Sequence, residues 1–193
     1  MNCFNDPPPG YTEIFKINLQ KDRRPALLVN AIALFLMVLL CVVGHLIVPI
    51  TSLFNVEVGY EIYFGRLIAL FVGIIIYMVL HELVHGICMK CFGAKKVKYG
   101  FTGLYAYAGS DDYFPRKPYI AIALAPIVVW GIVLLVLNCM AGTSWFWIVY
   151  FIQVCNISGA AGDIYVTCKF LRMPKDILIQ DAGVSMTVYS RSK

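Results

Sequence analysis

Residues 63–90 read YFGRLIALFVGIIIYMVLHELVHGICMK. From Leu67 to Leu80 this stretch holds no charged residue, and the whole run exceeds the roughly 20 residues a helix needs to cross about 30 Å of hydrocarbon. It reads as a membrane span. Three further runs of comparable length lie at Ala26 to Ile50, Tyr119 to Cys139 and Trp145 to about Tyr165. Of the 193 residues 60% are apolar and only 14% charged, with a mean hydropathy of +0.76, whereas a typical soluble domain is roughly one-quarter charged. The expected fold is an all-α membrane protein of about four transmembrane helices in a lipid bilayer, with a short cytoplasmic β-hairpin and a small strand-prone C-terminal tail.

Working outward, the net charge of +5 raises the possibility of nucleic-acid binding until the basic residues are placed. Fifteen of the sixteen Lys and Arg fall at 16 to 24, 90 to 117 and 169 to 193, and only Arg66 lies elsewhere. Four spans put those three groups on one side, which the positive-inside rule makes the cytoplasm. The expectation is a multi-pass cell-membrane protein with both termini cytoplasmic and no nucleic-acid partner. The first 24 residues carry Asp6, Glu13, Asp22 and Pro7-Pro8-Pro9, with no short apolar core and cleavage site, so no removable signal peptide is expected. Val97 to Ala108 alternates apolar and polar residues with aromatics and glycines, Tyr105 among them, and reads as a hairpin. Asp111 to Lys117 reads as a loop, and Ile177 to Tyr189 as two strand-prone runs around Asp181-Ala182-Gly183. Pro126 and Gly131 fall inside the third span, where neighbouring helices can satisfy the backbone groups they free.

His81-Glu82-Leu83-Val84-His85 sits near the cytoplasmic end of the second span. Helical positions i and i+4 share a face, so both imidazoles can reach one ion while Glu82 lies beside it, placed to hold a water. A catalytic zinc ordinarily has three protein ligands and an open position for water, and Glu82 is the expected general base. Ionisable residues inside a span are costly and are functional candidates by default. No His follows His85 and no Glu follows Glu82, so a third ligand downstream must be Asp111, Asp112, Asp163, Asp176 or Asp181. Depth favours Asp163. It and His81 each lie eighteen residues on from the start of spans entered from outside, at Trp145 and Tyr63, about 27 Å along at 1.5 Å per residue.

Asp111 and Asp112 are expected to be solvated turn acids. His45, Glu57 and Glu61 fall toward the outer face, and Arg66 can snorkel to the outer interface or pair with either acid. Asn156, Gly159, Ala160 and Asp163 recur at helical spacing, so Asn156 can bind substrate, orient a ligand, or simply join two helices. The seven cysteines, Cys88-x-x-Cys91 included, read as small packing residues and not as a disulfide framework.

These residues carry a resemblance. HELVHG at the end of one span, with an Asp after an Asn on a later span, resembles the site-2 protease class of intramembrane zinc metalloproteases. More closely, HELVHGICMKCFG, YIAIALAPI and NISGAAGDIY look like a family of small bacterial membrane proteins catalogued as candidate zincin peptidases, over roughly residues 60 to 190. The resemblance implies Zn2+ held by His81, His85 and Asp163, Glu82 as general base, Asn156 in the place of the class's second-motif Asn, and Ala125-Pro126 in the place of its Gly-Pro pair. In the larger class the Asp is followed by Gly, whereas here Gly162 precedes Asp163 and Ile164 follows it. The expected organisation is a cytoplasmic N-terminal segment (1–24), a membrane metallopeptidase-like domain (25–168) and a cytoplasmic C-terminal tail (169–193). The expected activity is zinc-dependent hydrolysis of a membrane protein or peptide near the cytoplasmic leaflet. The alternatives are an inactive zinc-binding membrane scaffold and a metal-ion carrier.

Overall fold

The computed structural model describes residues 3–18, 21–56, 59–103 and 106–191. Glu57 of the expected external segment and Tyr105 of the expected hairpin lie outside them. In chain order the elements are β1 (Tyr11–Ile17), α1 (Arg23–Ile47), a 3-10 turn (Ile50–Phe54), α2 (Tyr60–Cys91), β2 (Lys98–Phe101), β3 (Ala106–Gly109), β4 (Tyr113–Pro115), α3 (Arg116–Met140), α4 (Gly142–Gly159), α5 (Ala161–Leu171), β5 (Leu178–Asp181) and β6 (Met186–Arg191).

Among the described residues, four helical stretches are long and apolar enough to cross a membrane: α1, α2, α3, and α4 with α5 together. Each matches an expected run, with one difference. The fourth breaks at Ala160, whose N–H turns back to the Ser158 carbonyl. Gly159 and Gly162 flank the break, and glycine is a poor helix former. Asn156 therefore belongs to α4, while Asp163 lies in the first turn of α5, where the positive end of a helix favours a carboxylate.

The strands exceed the expectation of an all-α fold. The hairpin is there, β2 against β3, with Tyr99 opposite Ala108. So are the two tail strands, β5 and β6. They belong, however, to a four-stranded antiparallel sheet of order β1-β6-β5-β4. Its edge strands come from stretches expected to be plain segment and loop. β1 is largely solvated and takes its order from pairing with β6, Tyr11 opposite Arg191. β4 is only three residues long, too short to show a period.

The chain divides into two compact units, residues 1–29, 80–126 and 162–193, and residues 30–79 and 127–161. The first holds both sheets and a core of Met89, Phe114, Tyr119, Ile122, Phe170, Ile179 and Val188, all nearly inaccessible. Gly109 of β3 abuts the backbone of Ala182 and Gly183 so closely that a Cβ has no room there. That contact joins the hairpin to the β5–β6 turn. The second unit is helical. Its Gly44 lets the Tyr150 ring approach, Tyr150 donates to the Leu40 carbonyl at 2.8 Å, and Trp147 donates to the Val48 carbonyl at 3.2 Å.

Candidate metal centre

The last turns of α2 set the site. Past Cys91 the helix closes with Ala94 N–H on the Met89 carbonyl at 3.0 Å and Gly93 N–H on the Lys90 carbonyl at 2.9 Å, a Schellman termination that needs the positive φ of Gly93. Ala94 and Met89 both enter the core, so the exit from the helix is anchored two turns after His85. His81 and His85, one turn apart, hold their rings edge to face with centroids 4.9 Å apart.

Asp163 meets them from α5. Its Oδ2 lies 3.6 Å from His81 Nε2 and 3.7 Å from His85 Nε2. One ligand atom from each residue falls within 4.8 Å of the others. Tetrahedral zinc with ligands at about 2.0–2.1 Å separates them by about 3.3 Å. The two imidazoles and the carboxylate thus fit a zinc ion in both chemistry and spacing. Among the described residues this is the group of three His, Cys, Asp or Glu side chains that converges in this way.

His85 is oriented from its far side. Its Nδ1 lies 3.0 Å from the Ile122 carbonyl on α3, in a buried contact. A carbonyl only accepts, so Nδ1 carries a proton, and it is the neutral form of this ring that presents an Nε2 lone pair to a metal. Such partners of metal-binding histidines set tautomer and ring angle. Glu82 lies within electrostatic reach of the Ala108 N–H of β3. One turn before Ile122, the buried Tyr119 hydroxyl donates to Asp181 Oδ2 at 2.5 Å. Asp181 Oδ1 accepts from Gly183 N–H at 2.8 Å, and its backbone carbonyl from Ser110 N–H at 2.6 Å. Burial pushes the Asp181 carboxyl up from its ordinary range, while the hydrogen bonds from Tyr119 and Gly183 pull it down.

The other acids lie elsewhere. Asp111 pairs with Lys98, both exposed. Asp112, expected to be solvated, is buried and accepts the Lys95 N–H at 2.8 Å. The local turn folds it inward, which charge alone did not signal. Asp176 accepts from Ser190 at 3.4 Å. In the second unit Asn156 is wholly buried, accepting from Tyr77 at 3.0 Å and donating to the Ile127 carbonyl at 3.3 Å. His45 accepts the Ile50 N–H past the end of α1. Glu61 is exposed, and Arg66 is buried over the Trp145 ring. All seven cysteines are free.

Residues 74–178 match the family described as "Putative zincin peptidase". The chain belongs to this family. Its matched stretch contains His81, Glu82, His85, Ile122 and Asp163 and stops before Asp181. A protein of Pyrococcus woesei, described as an uncharacterized 24.7 kDa protein in the gap 5' region, is 32% identical over 118 residues. That match covers 58% of this chain and 51% of the relative, so the chain spans about half the length of the curated relative it matches. No solved structure matches. The stretch matched to the family includes the His81/His85 pair on α2. Ile122, Ala108, Tyr119 and Asp181 have no motif of their own, and of these only the Ile122 contact has a sequence signal, in Pro126 four residues later.

Proposed function

We propose that the protein is a membrane-embedded zinc peptidase that hydrolyses peptide bonds of a membrane protein or peptide near the cytoplasmic leaflet. The observation that carries this is the convergence of Asp163 Oδ2 on the two Nε2 atoms of the His81/His85 pair. His81, His85 and Asp163 hold the ion, as in the site-2 protease class that the sequence resembles. When bound, zinc supplies Lewis acidity that polarises a carbonyl and makes a water acidic near neutral pH. Glu82, one residue beyond His81, accepts the proton of the attacking water and delivers it to the leaving amine. A helical substrate hides its carbonyls, so an extended segment is the form that can react. The β2–β3 hairpin, whose Ala108 N–H lies within electrostatic reach of Glu82, offers an edge for such a strand to pair with.

The membrane setting rests on exposed apolar surface. Leu46 is 79%, Leu27 72% and Phe71 69% accessible, far more continuous apolar surface than a water-soluble monomer carries. The one-sided distribution of the basic segments supports cytoplasmic termini by the positive-inside rule. Reporter fusions that put either terminus outside would contradict that topology. The function itself is tested by comparing zinc content and peptide cleavage in wild-type protein and Glu82→Gln. The expected result is equal zinc with cleavage confined to wild type. Equal zinc with no cleavage by either protein, across membrane-anchored substrates, would favour an inactive scaffold.

A further inference from the structure

Pro126 lies inside α3 and is buried. A proline has no N–H to give the carbonyl four residues back, and its ring pushes that carbonyl off the helix axis. Four residues back from Pro126 is Ile122. The Ile122 carbonyl is the one that receives the His85 Nδ1–H at 3.0 Å. We propose that Pro126 is a positioning residue for the metal centre: it strips Ile122 of its helical partner so that the freed carbonyl can orient His85. The purpose of this arrangement rests on the zinc-peptidase reading, but the hydrogen-bond geometry does not.

Each group answers the other's need. Within an apolar span no water is at hand for a carbonyl orphaned by proline, and another protein group must satisfy it. His85, buried at the end of α2, needs an acceptor at Nδ1 if Nε2 is to face Asp163 as an unprotonated ligand. Replacing Pro126 by any residue with an N–H restores a competitor for the same carbonyl and draws it back along the helix axis. A better helix former at this position should therefore make a worse metal site, the opposite of what helix propensity alone predicts.

The test uses the full chain in detergent or nanodiscs with two readouts. Zinc affinity is measured by competition with a chelator of known affinity. The tautomer of His85 is read from 15N-histidine spectra of zinc-free protein at a pH high enough that the imidazole is neutral, with the signal assigned by its loss in His85→Gln. Pro126→Ala should weaken zinc binding by about 10- to 100-fold, the range for lost outer partners of metal-binding histidines, and should disperse the single Nδ1–H tautomer. Pro126→lactic acid, which has alanine's side chain but an ester oxygen in place of the N–H, should keep wild-type affinity and tautomer. Either of two results overturns the proposal: Pro126→Ala indistinguishable from wild type in both readouts, or the ester variant falling as far as Pro126→Ala, which would make the ring the cause. A wild-type protein that binds no zinc yet shows the Pro126-dependent tautomer would contradict the zinc reading while supporting this one.

Discussion

In the unit of residues 30–79 and 127–161, the buried Asn156 spends its amide on Tyr77 and Ile127, and the Arg66 guanidinium lies over Trp145 with 5.8 Å to the ring centroid. In the other unit, His81, His85 and Asp163 come from two helices and turn three ligand atoms toward one point, while the Ile122 carbonyl holds His85 from behind. Both regions place polar groups in apolar helices. Placement within an apolar helix is therefore not what separates packing from chemistry. An amide whose donors and acceptor already serve neighbouring helices fastens those helices. Several ligand atoms that converge, one of them oriented from its far side by a backbone carbonyl, make a place for something else.

The comparison breaks most visibly at the histidines. His81→Ala and His85→Ala should each reduce zinc from about one per chain to almost none, measured by elemental analysis of purified protein, because each removes one of three ligands. Zinc retained in either variant would mean that the pair is not the site. Glu82→Gln should keep its zinc and lose turnover by about 10²- to 10⁴-fold, the usual share of general acid–base catalysis.

A smaller effect is expected at Asp163. Asp163→Ala should weaken zinc retention markedly and Asp163→Asn less so, since an amide oxygen is a poorer partner for a dication than a carboxylate. Alanine at Asp111, Asp112, Asp176 or Asp181 should leave zinc content at the wild-type level. Loss of zinc in one of those four, with full occupancy in Asp163→Ala, would move the third ligand. The smallest effects belong to the packing groups. Tyr77→Phe should cost about 1 kcal/mol of stability and Asn156→Ala about 1–3 kcal/mol, from unmade or orphaned buried hydrogen bonds, with zinc affinity unchanged in both. A zinc defect in Asn156→Ala at normal stability would give that residue a role at the metal.

What the sequence makes legible follows the range of the interactions involved. The four apolar runs and the His81/His85 face are local, set by hydropathy and a spacing of four residues, and both reappear in the structure. Asp163 could be reached because depth along a span is a one-dimensional count. The break at Ala160 lay in plain view between Gly159 and Gly162, yet small residues in a row serve a close helix approach equally well. β1 was not legible, because its exposed Thr12, Glu13 and Ile14 show no period and its partner β6 lies at the far end of the chain. Asp112 and Asp181 are buried by turns and by Tyr119, contacts that their neighbours in sequence do not announce. Pro126 stands between these cases. The need for a partner at Ile122 could be read from the proline, but which partner met it could not.

The measurement closest to the central claim is cleavage of membrane-anchored peptides by the protein reconstituted in liposomes, with products identified by mass spectrometry before chelation, after chelation and after zinc is restored. The account predicts cleavage that disappears with chelator and returns with zinc, at wild-type protein only and not at Glu82→Gln. Cleavage that survives complete removal of zinc, or that persists in Glu82→Gln, would contradict it.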